Sequence, residues 1–165
     1  MLRIGLGHDT HRLTSGTFIV LGGVRIEHTQ RLVGHSDADV LLHAITDALL
    51  GAAGFGDIGE LFPDTDPANR HRDSAEMLQL AWEQVRQHHW HIVNLDIILF
   101  AEKPKIAPHK EAIRKRIAEL LEIDAAQIGL KAKTGEQVGI IGREEAMAAE
   151  CVVLLEQRDA VQCEM

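Results

Sequence analysis

Two hydrophobic rhythms divide the chain. Val40, Leu41, Ala44, Ile45, Ala48, Leu49 and Ala52 recur at the 3.6-residue spacing of an amphipathic helix. An S-x-x-D signal precedes it, with Ser36 placed to cap the Asp39 amide and Asp39 to reach back, and Gly54 and Gly56 stop it. Further helices are predicted from a cap at Asp73 or Ser74 through Trp82 and Val85 to about His88, and from His109 to Leu121 with Pro108 just ahead. The period-two rhythm predicts a short strand over Leu2–Leu6 and a second over Thr17–Leu21, closed by Gly22-Gly23, with Val24–Ile26 extending a hairpin. Ile92–Ala101 carries Leu95, Ile97 and Leu99 on one face and Ile98 and Phe100 on the other, so it belongs in the middle of a sheet. Ile128–Thr134 and Ala146–Leu155 complete the strands. Between helices, Gly54–Arg72 is rich in Gly, Pro and Asp, and a loop of that length points to function.

The order ββαα-βαββ predicts one α+β domain over residues 1–157: an α/β sandwich with one mixed four-stranded sheet, a small hairpin, and helices on one face. Residues 158–165 read as a frayed tail. Strands that are apolar on both sides leave the second sheet face in need of cover, which predicts an oligomer.

Composition narrows the function classes. The chain has 165 residues, 45% hydrophobic and 25% charged, which suits a folded domain with a core of ordinary size. A formal net charge of −8 argues against nucleic acid as a partner, although metal ions and backbone amides can still receive a small phosphorylated molecule. Cys151 and Cys163 form no CxxC pair and read as buried or free thiols. No apolar run approaches the ~20 residues of a membrane span, and no leader-like segment opens the chain, so a cytoplasmic protein is expected.

Candidate chemistry gathers in His8-Asp9-Thr10-His11 and in the helix bearing His43. On a strand, Asp9 and His11 point to the same side and Thr10 to the other. With His43 they offer one carboxylate and two imidazoles, a set that suits zinc and leaves a fourth position open for substrate. The plainer reading of Asp9-x-His11 is a solvated strand end. Asp47, one turn beyond His43, reads equally as an orienting partner for an imidazole or as a solvated helix charge. The macrodipole accounts for Asp39, while Asp37 stays open. His88, His89 and His91 read as a solvated helix end.

The runs RIGLGHDTH, HSDADVLLHAITDALLGAAGFGDIGELFPDTDP, AEKPKIAPH and KAKTGEQVGIIGR resemble the 2-C-methyl-D-erythritol 2,4-cyclodiphosphate synthase family from about Arg3 to Leu155. The resemblance implies an enzyme of the non-mevalonate isoprenoid route. Such an enzyme converts 4-diphosphocytidyl-2-C-methyl-D-erythritol 2-phosphate into the cyclic diphosphate and releases CMP. It also implies a homotrimer with active sites at the subunit interfaces. Carried over, Asp9, His11 and His43 are the zinc ligands, and Glu136 meets a second divalent ion, Mg²⁺ or Mn²⁺, on the substrate diphosphate. His35, Thr134 and Glu136 are the catalytic candidates. His35 and Ser36 meet the methylerythritol phosphate end, Asp57, Ile58 and Gly59 the erythritol hydroxyls, and Phe62 and Asp64 sit on the loop above. Ala101, Lys105, Ile106 and Ala107 form a cytidine pocket, Lys133 and Thr134 approach the diphosphate, and Arg143 is a further substrate contact.

Three positions depart from the family pattern. Gly135 stands where Thr or Asn is frequent, Glu144 where Gly is usual, and Ile140 where some members have Phe. At Gly135 a side-chain contact is lost or replaced by backbone; the other two bear on the trimer-axis channel for an isoprenoid diphosphate that the resemblance places near Ile140 and Arg143, and the zinc set shows no departure. Two rival readings compete: a metal-dependent phosphohydrolase of the helical His-Asp type, and a trimeric metal-binding scaffold without activity.

Overall fold

Strand β1 (Leu2–Ser15) runs well past the Leu2–Leu6 strand that alternation predicts, in a computed structural model that describes residues 1–158. Its inward positions are Gly5, Gly7, Asp9 and His11, while the apolar Leu2, Ile4 and Leu6 face outward and are exposed. The inversion has a steric cause. Helix α1 (Val40–Ala53) lies so close to β1 that a Cβ on Gly5 would fall 1.9 Å from the Ala48 carbonyl oxygen, and one on Gly7 1.9 Å from that of Ala44. Glycine lets the backbones meet.

The elements after β1 are β2 (Phe18–Leu21), β3 (Val24–Glu27), β4 (Gln30–Val33), α1, α2 (Ile58–Leu61), α3 (Ser74–Gln87) and β5 (Trp90–Phe100). They continue with α4 (Lys110–Leu121), β6 (Ile128–Lys133), α5 (Gly139–Gly142) and β7 (Ala146–Gln157). The main sheet has five strands in the order β4-β1-β7-β5-β6, not the four expected, because Gln30–Val33 adds an edge strand to the end of β1. Among the described residues only β5 and β6 pair in parallel. The middle strand is β7, while β5 is interior with partners on both sides. The hairpin β2–β3 stands apart as a two-stranded sheet.

Helix α1 begins at Val40, with Asp39 rather than Ser36 as its cap. The Asp39 carboxylate accepts from Leu41 N at 3.1 Å and Leu42 N at 3.2 Å, and also from Gly22 N at 2.9 Å and Gly23 N at 2.7 Å. One buried acid thus ties the hairpin turn to the start of the site helix. Four amide donors make that burial tolerable.

Leu41, Ile45 and Leu49 of α1, Leu78 and Val85 of α3, and Ile113 and Ile117 of α4 pack on Leu95, Ile97, Leu99 and Val153 of the sheet. The opposite sheet face leaves Ile4, Leu6 and Val152 exposed, as the two-sided strands predict. A five-stranded sheet excludes the helical phosphohydrolase fold. Among the described residues no helix is long and apolar enough to cross a membrane. Cys151 is a buried free thiol. Arg158 is tied down, its amide donating to His89 O at 3.1 Å, and the rest of the expected tail, with Cys163, lies outside the described residues.

Candidate functional site

Because β1 passes under α1 at Gly7 and Ala44, its next inward residues, Asp9 and His11, emerge beside the first turn of α1, where His43 sits. Asp9 Oδ2 lies 2.9 Å from His11 Nε2 and 3.0 Å from His43 Nδ1, and the two nitrogens are 3.0 Å apart. Among the described residues this is the cluster of His, Cys, Asp and Glu able to hold a metal.

The far side of each ring settles which nitrogen carries hydrogen. His11 Nδ1 donates to Val33 O at 3.1 Å, so Nε2 turns a lone pair toward the cluster. His43 Nε2 lies 2.8 Å from Ser74 Oγ and 3.0 Å from Ser36 Oγ. Ser74 Oγ donates its one hydrogen to Asp37 Oδ1, so its oxygen accepts from His43 Nε2, and His43 Nδ1 also presents a lone pair. Three lone pairs at such separations repel unless a cation lies among them. The donor set therefore fits a divalent metal, and in its absence a proton takes the place. Burial alone would raise Asp9, yet its close polar contacts with the His11 and His43 imidazoles outweigh it and hold the carboxyl far below its usual range. Burial would lower His11, but the hydrogen bond and charge of Asp9 raise it.

A cavity of about 390 Å³ opens beside the cluster, lined by His11, His35, Ser36, His43, Ile58, Gly59, Phe62, Asp64, Asn69 and Met77. It brings together most of the first group of residues expected from the sequence. Asp57 adjoins it as the cap of α2, accepting from Glu60 N at 2.9 Å. His35 Nε2 and Asp64 Oδ2 face each other at 3.8 Å. Ser36 caps no helix; its hydroxyl accepts from Ala38 N at 3.1 Å and borders the cavity. Asp47 takes neither role expected of it. Its carboxylate accepts from Ile58 N at 2.8 Å and so anchors the α2 turn that walls the cavity. Ser74, which the sequence marks only as a helix cap, directly touches His43 of the candidate metal cluster.

Ala101, Lys105, Ile106, Ala107, Lys133, Thr134, Glu136 and Arg143 do not line this cavity. Most gather around the ends of β5 and β6, where Ala101 N donates to Lys133 O at 2.9 Å and Thr134 Oγ1 donates to Glu136 Oε1 at 2.5 Å. Asp9 pairs with Ala149, Ala149 with Leu99 and Leu99 with Ala132. Both groups thus lie at one end of the sheet, separated by three strand spacings of ~4.8 Å, roughly 14 Å. Arg143 is paired with Glu145 at 2.7 Å.

The departures also have local reasons. A Cβ on Gly135 would lie 2.4 Å from Gly142 N, and its amide donates to Glu102 Oε2 at 2.9 Å, so backbone supplies the contact there. Glu144 holds a left-handed φ of 58°, the conformation glycine adopts freely, and its carboxylate pairs with Lys103 at 2.7 Å.

The model of the YgbB family matches residues 2–156. The chain belongs to this family. Among YgbB relatives, the 2-C-methyl-D-erythritol 2,4-cyclodiphosphate synthase of Shouchella clausii (strain KSM-K16) is 53% identical over 159 residues, 96% of this chain and 100% of that protein. The synthase of Bacillus cereus (strain ATCC 10987 / NRS 248) is 53% identical over 158 residues, again 96% and 100%. The chain also superposes on the bifunctional IspDF from Campylobacter jejuni with a TM-score of 0.92 and 43% identity, covering 96% of this chain and 43% of that one. It therefore spans less than half of that bifunctional protein. The CDP complex of IspF from Plasmodium falciparum matches with a TM-score of 0.84 and 36% identity, covering 96% and 97%. Like its YgbB relatives, the chain is an enzyme of the phosphorus–oxygen lyase class in isoprenoid biosynthesis. This bears out the resemblance read from the residues, and the inactive scaffold finds no support.

Proposed function

We propose that this chain converts 4-diphosphocytidyl-2-C-methyl-D-erythritol 2-phosphate into 2-C-methyl-D-erythritol 2,4-cyclodiphosphate and CMP, with Asp9, His11 and His43 as its zinc ligands. The observation that carries the reading is the three convergent lone pairs of that set on the wall of a cavity of about 390 Å³. The substrate's 2-phosphate oxygen forms the new bond to the β-phosphorus as the bond to the CMP oxygen breaks, and CMP leaves with the electron pair. A phosphate monoester is ionised at pH 7, its second pKa being about 6, so no protein base is required. When bound, zinc and a second divalent ion, Mg²⁺ or Mn²⁺, neutralise the diphosphate against the incoming anion.

The chain's own groups orient the substrate, and ring closure within one molecule rewards orientation. Ser36 Oγ and His35 meet the methylerythritol phosphate end. Asp57 and the Ile58–Gly59 turn, pinned by Asp47, receive the hydroxyls, and Phe62 and Asp64 close the cavity from above. Ala101, Lys105, Ile106 and Ala107 hold cytidine, with Lys133 and Thr134 beside the diphosphate, Glu136 on the second ion and Arg143 as an outer contact once released from Glu145. The roughly 14 Å between the two groups supports a homotrimer in which neighbouring protomers complete each site. The exposed Ile4, Leu6 and Val152 supply an apolar face for that assembly.

His43→Ala tests the assignment. Turnover and bound zinc are lost together while far-UV circular dichroism stays unchanged. Turnover at the wild-type rate in that variant removes His43 from the site.

A further inference from the structure

We infer that Ser74, backed by Asp37, is a positioning residue that sets His43 as a metal ligand and joins the metal centre to the segment that closes the cavity. The inference rests on the metal reading above. Ser74 is fully buried, and its hydroxyl stands between two fixed partners: His43 Nε2 at 2.8 Å and the Asp37 carboxylate, to which it donates. Its amide donates to the other Asp37 oxygen at 3.3 Å. The polarity of the chain His43 Nε2–H, Ser74 Oγ–H, Asp37 is thereby set in one direction. Hydrogen is kept on the nitrogen facing away from the cavity, and the lone pair on Nδ1 faces Asp9 and His11.

Ser36 does not duplicate this. Its hydroxyl is farther from His43, at 3.0 Å, accepts from Ala38 N, and lies on the cavity wall where substrate competes for it.

Ser74 is also the first residue of α3, directly after the segment 63–73. That segment is zipped to the 35–37 turn by His71 N donating to His35 O at 2.7 Å and Asp37 N donating to Arg72 O at 3.4 Å. The same pairing that brings Asp64 and His35 over the cavity delivers the hydroxyl that orients His43. Outer partners of metal-bound histidines typically account for 10–100-fold in affinity.

Cobalt(II), a spectroscopic stand-in for zinc, reads this without turnover. Titrated into the metal-free protein against a chromophoric chelator, Ser74→Ala should bind cobalt about 10–100-fold more weakly with a shifted visible band. Ser74→Thr, which keeps the hydroxyl, should stay within about threefold of wild type, and Asp37→Ala, at an exposed position, should fall between. If Ser74→Ala folds poorly, Asp37→Ala carries the test. Wild-type affinity and spectrum in both Ser74→Ala and Asp37→Ala, even with lowered melting temperatures, would overturn the inference. Failure of the wild-type protein to bind cobalt would instead overturn the metal reading beneath it.

Discussion

Gly7 lies so close to Ala44 that a Cβ on the glycine would stand 1.9 Å from the Ala44 carbonyl oxygen. This contact sets the height of α1 above β1 and with it the distance from His43 to Asp9 and His11. Gly7→Ala should therefore lift the helix, cost about 3 kcal/mol or more in urea denaturation, and weaken metal binding at the same time. Gly51, on the same helix, is the contrast: nothing lies within 4 Å of a Cβ there. Gly51→Ala should leave metal affinity alone and gain about 0.5–1 kcal/mol. A neutral Gly7→Ala would show that the strand and helix can separate without disturbing the site.

The Asp9–His11 pair predicts opposite pH responses for metal loading and metal-free stability. Asp9 raises His11 above its ordinary 6.5, so a proton must leave His11 before a metal can bind. Affinity should climb as pH rises through that raised value. In the metal-free protein, the His11 contribution to stability is fully present below 6.5 and is lost as pH rises through the folded value. Asp9 is depressed below its ordinary 3.8, so its contribution is present above 3.8 and is lost on acidification. The stability difference between metal-free wild type and His11→Gln should accordingly peak between those two pH values. A difference that grows steadily toward pH 9 would contradict the pairing.

Much of this architecture was legible because packing obeyed periodicity. The α1 stripe, the α3 and α4 helices, the β2–β3 hairpin and the Leu95–Ile97–Leu99 face of β5 bury residues that their spacing marks, while Ile98 and Phe100 on the other face are half-buried. β1 was underestimated because its inward positions hold Gly, Asp and His, while its apolar residues face outward. β4 leaves almost no pattern because its four residues include one buried side chain, Leu32. The helix start shifted from Ser36 to Asp39 because the latter also binds Gly22 and Gly23, a tertiary demand that a local capping rule omits. In the site, Asp9 and His11 followed from strand alternation and His43 from its helix. Ser74 stayed hidden because it meets His43 only when α3 docks, 31 residues away in sequence.

Asp47 holds Ile58 N at 2.8 Å and lies outside the metal cluster. Asp47→Ala should free the α2 turn, raising KM for the cyclisation about tenfold through the loss of one part-buried hydrogen bond of ~1.4 kcal/mol, with cobalt affinity unchanged. Asp47→Asn keeps an acceptor oxygen and should lie close to wild type. Equal loss in both variants would mean that charge, not the bond to Ile58, is what matters at this position.

A cyclisation performed on the substrate's own phosphate is identified directly by its products. Phosphorus NMR of the protein incubated with 4-diphosphocytidyl-2-C-methyl-D-erythritol 2-phosphate, Zn²⁺ and Mg²⁺ should show CMP and the cyclic diphosphate appearing in equal amounts. Linear phosphate products, or CMP without the cyclic diphosphate, would contradict it.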